Sequence, residues 1–128
     1  MTASEVESGW GAWVARLTSE FANLAEGGWL TFTVPAADAD TFVQARVLEG
    51  VFALECIVDT QFEGVSDLSS AQLEALKRLG WHSEGDGPDL DRTFPADESG
   101  AAAELVAATF REVLGTDSPD QVDIRRPT

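Results

Sequence analysis

The residue types that break and make bonds are scarce in this chain. His82 is the only histidine and Cys56 the only cysteine. Nucleophilic hydrolysis needs a base to take the nucleophile's proton and a third group to orient that base. Ser83, next to His82, would point the other way in an extended segment, and no G-x-S-x-G turn is present. The same counts exclude an internal disulfide and zinc sites built from several Cys and His residues. Cys56 falls on the apolar side of its strand, where a thiol packs as a small hydrophobe. Carboxylates are plentiful, and Asp86, Asp89 and Asp91 gather around Gly87, a grouping that could offer oxygens to a hard cation. Their spacing departs from D-x-[DN]-x-[DN]-G and no bidentate glutamate follows at the right distance, so a solvated acidic turn accounts for them. Gly9/Gly11 and Gly27-Gly28 do not stand between a strand and a helix, as a phosphate-cradling loop requires. The chain is read as a non-enzyme with no catalytic residues, metal or cofactor.

Binding is the chemistry left, and the aromatic residues carry it. There are four Trp and seven Phe. Trp13, Phe21, Phe52 and Phe110 recur at core spacing, where each buried ring contributes about 1.5–3 kcal/mol. Trp29, Phe42 and Trp81 have no such explanation. By alternation, Trp29 and Phe42 share a mixed sheet surface with Gln44, Arg46, Glu55 and Ile57. An apolar patch with a polar rim of this kind suits a peptide or a subunit. Cover by the second helix or by the last residues is the other reading of the same pattern.

The elements that must position these residues follow from periodicity. Trp10, Trp13, Val14, Leu17, Phe21 and Leu24 lie on one stripe of a 3.6-residue period, with Arg16, Glu20 and Asn23 off it. Glu5 and Glu7 suit the positive end of this helix, and Gly27-Gly28 ends it. From Trp29 the period becomes two. Leu30, Phe32 and Val34 face one way and Trp29, Thr31 and Thr33 the other, until Pro35. Phe42 to Leu48 and Val51 to Val58 read as strands joined by Glu49-Gly50 as a two-residue turn. That turn sets Leu48 opposite Val51, Val47 opposite Phe52, Ala45 opposite Leu54 and Val43 opposite Cys56, one wholly apolar face. On the other face Gln44 meets Glu55, Phe42 meets Ile57, and Arg46 lies diagonal to Glu55, within reach of a charge pair.

Ser69 and Gln72 form a capping box for a second helix carrying Leu73, Leu76 and Leu79, with Gly80 as its stop. Trp81 to Arg92, containing Gly85, Gly87 and Pro88, reads as two short strands, or a strand and a loop, around a turn. Asp97 is expected to cap a third helix whose stripe is Leu105, Val106, Thr109, Phe110, Val113 and Leu114, ending at Gly115. A single domain over residues 1–115 and a tail over 116–128 complete the reading.

Composition bounds the partners. The 128 residues suit one domain able to bury its own core. Eight basic against 23 acidic residues give a net charge of −15 and a pI near 4.1, a field that repels nucleic acid and anionic membrane surfaces. No apolar run reaches the roughly 20 residues of a membrane span, and no basic start followed by an apolar stretch opens the chain. A cytoplasmic location is expected.

Phe42-Val43-Gln44-Ala45-Arg46, then Leu48-Glu49-Gly50 and Leu54-Glu55, and after them Leu76-Lys77-Arg78-Leu79-Gly80-Trp81, resemble the TY-Chap domains of actinobacteria. These are similar to type III secretion chaperones and YbjN proteins. Phe110-Arg111-Glu112-Val113-Leu114-Gly115, followed by Pro119, resembles the family's C-terminal pattern, so the likeness covers nearly the whole chain. The very acidic segment after Trp81 departs from it, lacking a second aromatic residue. The resemblance implies an α+β, type III secretion chaperone-like fold with an antiparallel sheet, in the order helix, three strands, helix, two strands, helix. It also implies a non-enzymatic chaperone or adaptor that holds an extended segment of a client protein, often as a homodimer. Trp29, Phe42 and Ile57 would then be its apolar contacts and Gln44, Arg46 and Glu55 its polar ones. A dedicated immunity-like or structural partner of one folded protein is the alternative.

Overall fold

The computed structural model describes residues 2–34, 42–57, 69–83, 90–116 and 118–126, with side chains for all of these except 2–8, 42, 57 and 83. The expectations placed on Pro35, Val58, Asp86 and Asp89, and on the side chains of Phe42 and Ile57, lie outside them.

Helix α1 runs Thr2–Ala22. Its stripe is buried as the spacing requires: Trp10, Trp13, Leu17 and Phe21 belong to the core, with Val14 and Leu24 packed against it. Edge-to-face contacts from Trp13 to Phe32 and from Phe21 to Phe32, each 6.2 Å between ring centres, fasten the helix to the sheet. The turn after α1 is tied to the next hairpin, with Gly27 N–H donating to Val47 O and Val47 N–H to Gly28 O.

Strands β1 (Trp29–Thr33), β2 (Phe42–Leu48) and β3 (Val51–Ile57) follow. The β2–β3 register is the one read from the sequence, from Leu48↔Val51 to Phe42↔Ile57. Its cause is visible in the turn. Glu49 and Gly50 both have positive φ, 53° and 77°, the backbone a two-residue hairpin needs to match strand twist. Helix α2 (Ser70–Leu79) opens with the reciprocal Ser69–Gln72 capping box and closes at Gly80, φ 112°. There Trp81 N–H donates to Leu76 O and Gly80 N–H to Lys77 O, which satisfies the last carbonyls of the helix.

Strands β4 (His82–Ser83) and β5 (Leu90–Pro95) pair antiparallel. Helix α3 (Ser99–Ala108) then begins after Glu98, which makes no side-chain cap. Asp97 was expected there. It lies instead in the turn closed by Glu98 N–H to Pro95 O, one residue too early to reach the helix. After α3 the coil widens to a π-helical turn, Thr109–Val113, with Leu114 N–H bonded to Thr109 O.

The expected tail also differs. Pro119–Gln121 form a 3-10 turn capped by the Ser118 side chain, and Asp123–Arg125 form strand β6. Val122 is buried and Ile124 packs against the core, so this short apolar alternation finds a place on the sheet edge. The sheet order is β4-β5-β3-β2-β1-β6 and every neighbouring pair is antiparallel. The molecule is α+β, with one hydrophobic core between the helices and the sheet face bearing Leu30, Phe32, Val43, Ala45, Phe52, Leu54 and Cys56. No helix among the described residues is long and apolar enough to cross a membrane.

Candidate functional site

The opposite sheet face is built by the same alternation that builds the core. Because successive side chains point to opposite sides, burying Leu30, Ala45, Leu54 and Leu90 turns their neighbours outward. Register then lines up one transverse row: Arg125, Thr31, Gln44, Glu55, Asp91 and His82, each opposite the next across β6, β1, β2, β3, β5 and β4. A second row runs Trp29, Arg46, Ala53 and Thr93. None of these ten residues belongs to the core cluster.

Trp29 is partly buried and stands opposite Arg46, which is exposed. Gln44 is half-buried and opposite exposed Glu55. Phe42 and Ile57 are register partners at the end of the same hairpin, at positions of the same parity as Gln44 and Glu55. Four of the six expected contact residues, Trp29, Gln44, Arg46 and Glu55, are therefore brought to one surface. The expected charge pair is not made: among the described residues no ion pair joins Arg46 to Glu55. The register puts Ala53 opposite Arg46, so Glu55 is only a diagonal neighbour, and an exposed diagonal pair gains too little to hold two long side chains in place.

Trp81, which lacked a core explanation in the sequence, is not on this face. It is 3% exposed, and its indole N–H donates to Thr109 Oγ at 2.9 Å. The Thr109 hydroxyl donates in turn to Leu105 O at 2.7 Å. A large ring with one polar handle is thereby satisfied inside the core.

Asp91, Thr93 and His82 were missed as members of the face. Glu55 stands directly opposite Asp91, a like-charge neighbour that weakens a sheet, and no basic side chain among the described residues is ion-paired with either. Around them Ala53, Glu55, His82, Asp91 and Thr93 border an open hollow of about 630 Å³. The signal in the sequence was the alternation Leu90, Arg92, Phe94 against Asp91, Thr93, Pro95. Arg92 obscured it: its parity is that of the core face, yet it is exposed and rests its guanidinium 4.7 Å above the Phe94 ring. His82 is exposed. Among the described residues no group of three or more metal-ligating side chains is assembled.

A partly buried tryptophan, charges of both signs that make no ion pair among the described residues, and an open hollow share this face, features found on contact surfaces. Comparison with known proteins agrees in kind. The family model of the T3SS (YopN, CesT) and YbjN peptide-binding chaperone 3, TY-Chap3, matches residues 3–128. No curated protein and no solved structure matches the chain.

Proposed function

Since the chain belongs to the TY-Chap3 family of peptide-binding chaperones, we propose that it is a non-enzymatic chaperone or adaptor that holds an extended segment of a client protein on the sheet face bearing Trp29, Gln44, Arg46 and Glu55. One observation carries this reading. A six-stranded sheet spends one face on the core and leaves the other, among the described residues, outside it, with a tryptophan standing there beside unpaired charges. An extended segment suits such a surface because its alternate side chains meet rows of sheet residues at matching spacing. The net charge of −15, with Glu55 and Asp91 adjacent on the face, favours clients with basic residues and speeds their approach at low salt.

Selection of twelve-residue peptides from a random display library against the full chain tests the proposal. The selected peptides should be rich in Arg or Lys and should bind without folding into a compact unit. Trp29→Ala with Arg46→Asp should weaken them at least ten-fold while circular dichroism stays unchanged. If no peptide is selected, or if binding is indifferent to that pair, the face is not a peptide site. The chain would then be better read as the dedicated partner of one folded protein.

A further inference from the structure

Strand β6 is held to the sheet far more lightly than the strand it pairs with. It meets β1 at three positions, Thr31↔Arg125, Phe32↔Ile124 and Thr33↔Asp123. Asp123 and Arg125 are exposed and Ile124 is only half-buried. Beneath it, β1 is fixed from the core side, with Leu30 at 1% and Phe32 at 0% exposure. β1 is thus held by the core and by β2 as well as by β6, while β6, anchored by buried Val122 just before it, itself has the few buried contacts that place a segment at the easily opened end of a protein's stability range.

The way β6 is held also has a pattern. Alternation puts Ile124 and Arg126 on the same side, the side of α1. Ile124 lies opposite Phe32, and Arg126 grips the Glu20 carboxylate of α1 through Nε and Nη2, the latter at 3.0 Å from Oε2. That contact raises the guanidinium's pKa above its ordinary value, the hydrogen bond to Glu20 being the largest cause. Arg125, between them, is exposed on the other side.

We propose that the outer edge of β1 is a docking site for an extended segment of another protein with the pattern apolar, any residue, basic, and that β6 is its resident occupant. The apolar residue takes the place of Ile124 against Phe32, and the basic residue takes the place of Arg126 at Glu20. Main-chain hydrogen bonds to β1 supply affinity, and those two side chains supply selection. Binding exchanges one strand for another, so the resident strand lowers apparent affinity by the fraction of time it is in place. This rests on the peptide-holding reading above and adds an edge, a sequence pattern and a competitor.

The test uses the full chain and a fluorescent synthetic peptide of its own residues 119–126, Pro-Asp-Gln-Val-Asp-Ile-Arg-Arg. Ile124→Ser with Arg126→Ser weakens the resident strand and leaves the site intact. That chain should bind the peptide at least ten-fold more tightly than the unaltered one, and adding Glu20→Lys should remove most of the gain. Hydrogen exchange on the unaltered chain needs no variant to fold: amides shared by β6 and β1 should exchange at least a hundred-fold faster than those in the middle of the β2–β3 ladder. Equal protection of the two ladders overturns the proposal, as does a peptide affinity unchanged by the serine pair. A dimer formed by exchanging β6 between two copies would make the occupant a second chain, and also overturns it. If library-selected peptides respond to Trp29→Ala with Arg46→Asp but not to the serine pair, the sheet-face reading stands and the β1-edge proposal alone fails.

Discussion

Trp81 and Thr109 are 28 residues apart in sequence and share one buried hydrogen bond, in which the Thr109 hydroxyl both accepts from the indole and donates to Leu105 O. Thr109→Val keeps the shape and strands the indole N–H, so it should cost about 1–3 kcal/mol. Adding Trp81→Phe removes the stranded donor. The double variant should therefore lose less than the sum of the two single losses, by about 1 kcal/mol or more, in a double-mutant cycle of denaturant melts. Val47 and Arg46 give the complementary comparison on adjacent residues of β2. Val47 is 6% exposed, so Val47→Asp places an unpaired charge in the core and should cost more than about 3 kcal/mol. Arg46 is exposed and has no ion pair among the described residues, so Arg46→Asp should shift stability by less than about 1 kcal/mol. A larger loss for Arg46→Asp would mean the register is wrong by one residue. These two residues were legible because alternation is a local signal. Trp81 was not, because nothing near it in sequence announces a hydroxyl on a distant helix.

At the scale of elements, local chemistry set most boundaries. The Ser69–Gln72 box, Gly80 and the Glu49-Gly50 turn each act within a few residues of themselves, and each could be read before any contact was known. Gly50 makes the point quantitatively. No atom lies within 4 Å of where its Cβ would stand, yet its φ is 77°, so Gly50→Ala should cost roughly 1 kcal/mol from backbone strain alone. A thermal melt unchanged by that substitution would show that the turn relaxes into another form. The elements that escaped are those without a local cause. Strand β6 spans three residues, too few for alternation to stand out, and exists because β1 offers an edge. The π-helical turn at Thr109–Val113 continues an apolar stripe that an ordinary helix would also have produced. The segment that forms β4–β5 reads equally as two short strands or as a strand and a loop, with no place in the sheet, which hid Asp91 and His82 from the candidate face.

At the scale of the whole molecule, the described helices pack on one face of the antiparallel sheet, and the other face of such a sheet meets solvent or a partner. Among soluble oligomers the two-fold symmetric homodimer is the commonest, and a second copy is one such partner. Light scattering is expected to give about twice the monomer mass of 13.7 kDa. Trp29→Ala with Arg46→Asp should return that value toward the monomer if the same face serves both purposes. The charge of −15 adds a second expectation: the association rate of a basic peptide should fall several-fold between 0.05 and 0.5 M salt, as screening shortens the reach of the field to about 4 Å. The most direct measurement follows the backbone amide resonances of the full chain during titration with a library-selected peptide. The face described here predicts that the largest shifts fall on Trp29, Thr31, Gln44, Arg46, Ala53 and Glu55, with those of α1 and α3 small. Shifts concentrated instead on Trp10, Gly11, Ala107, Ala108 and Arg111, which border the groove between those two helices, would place the client on the opposite side of the molecule and contradict it.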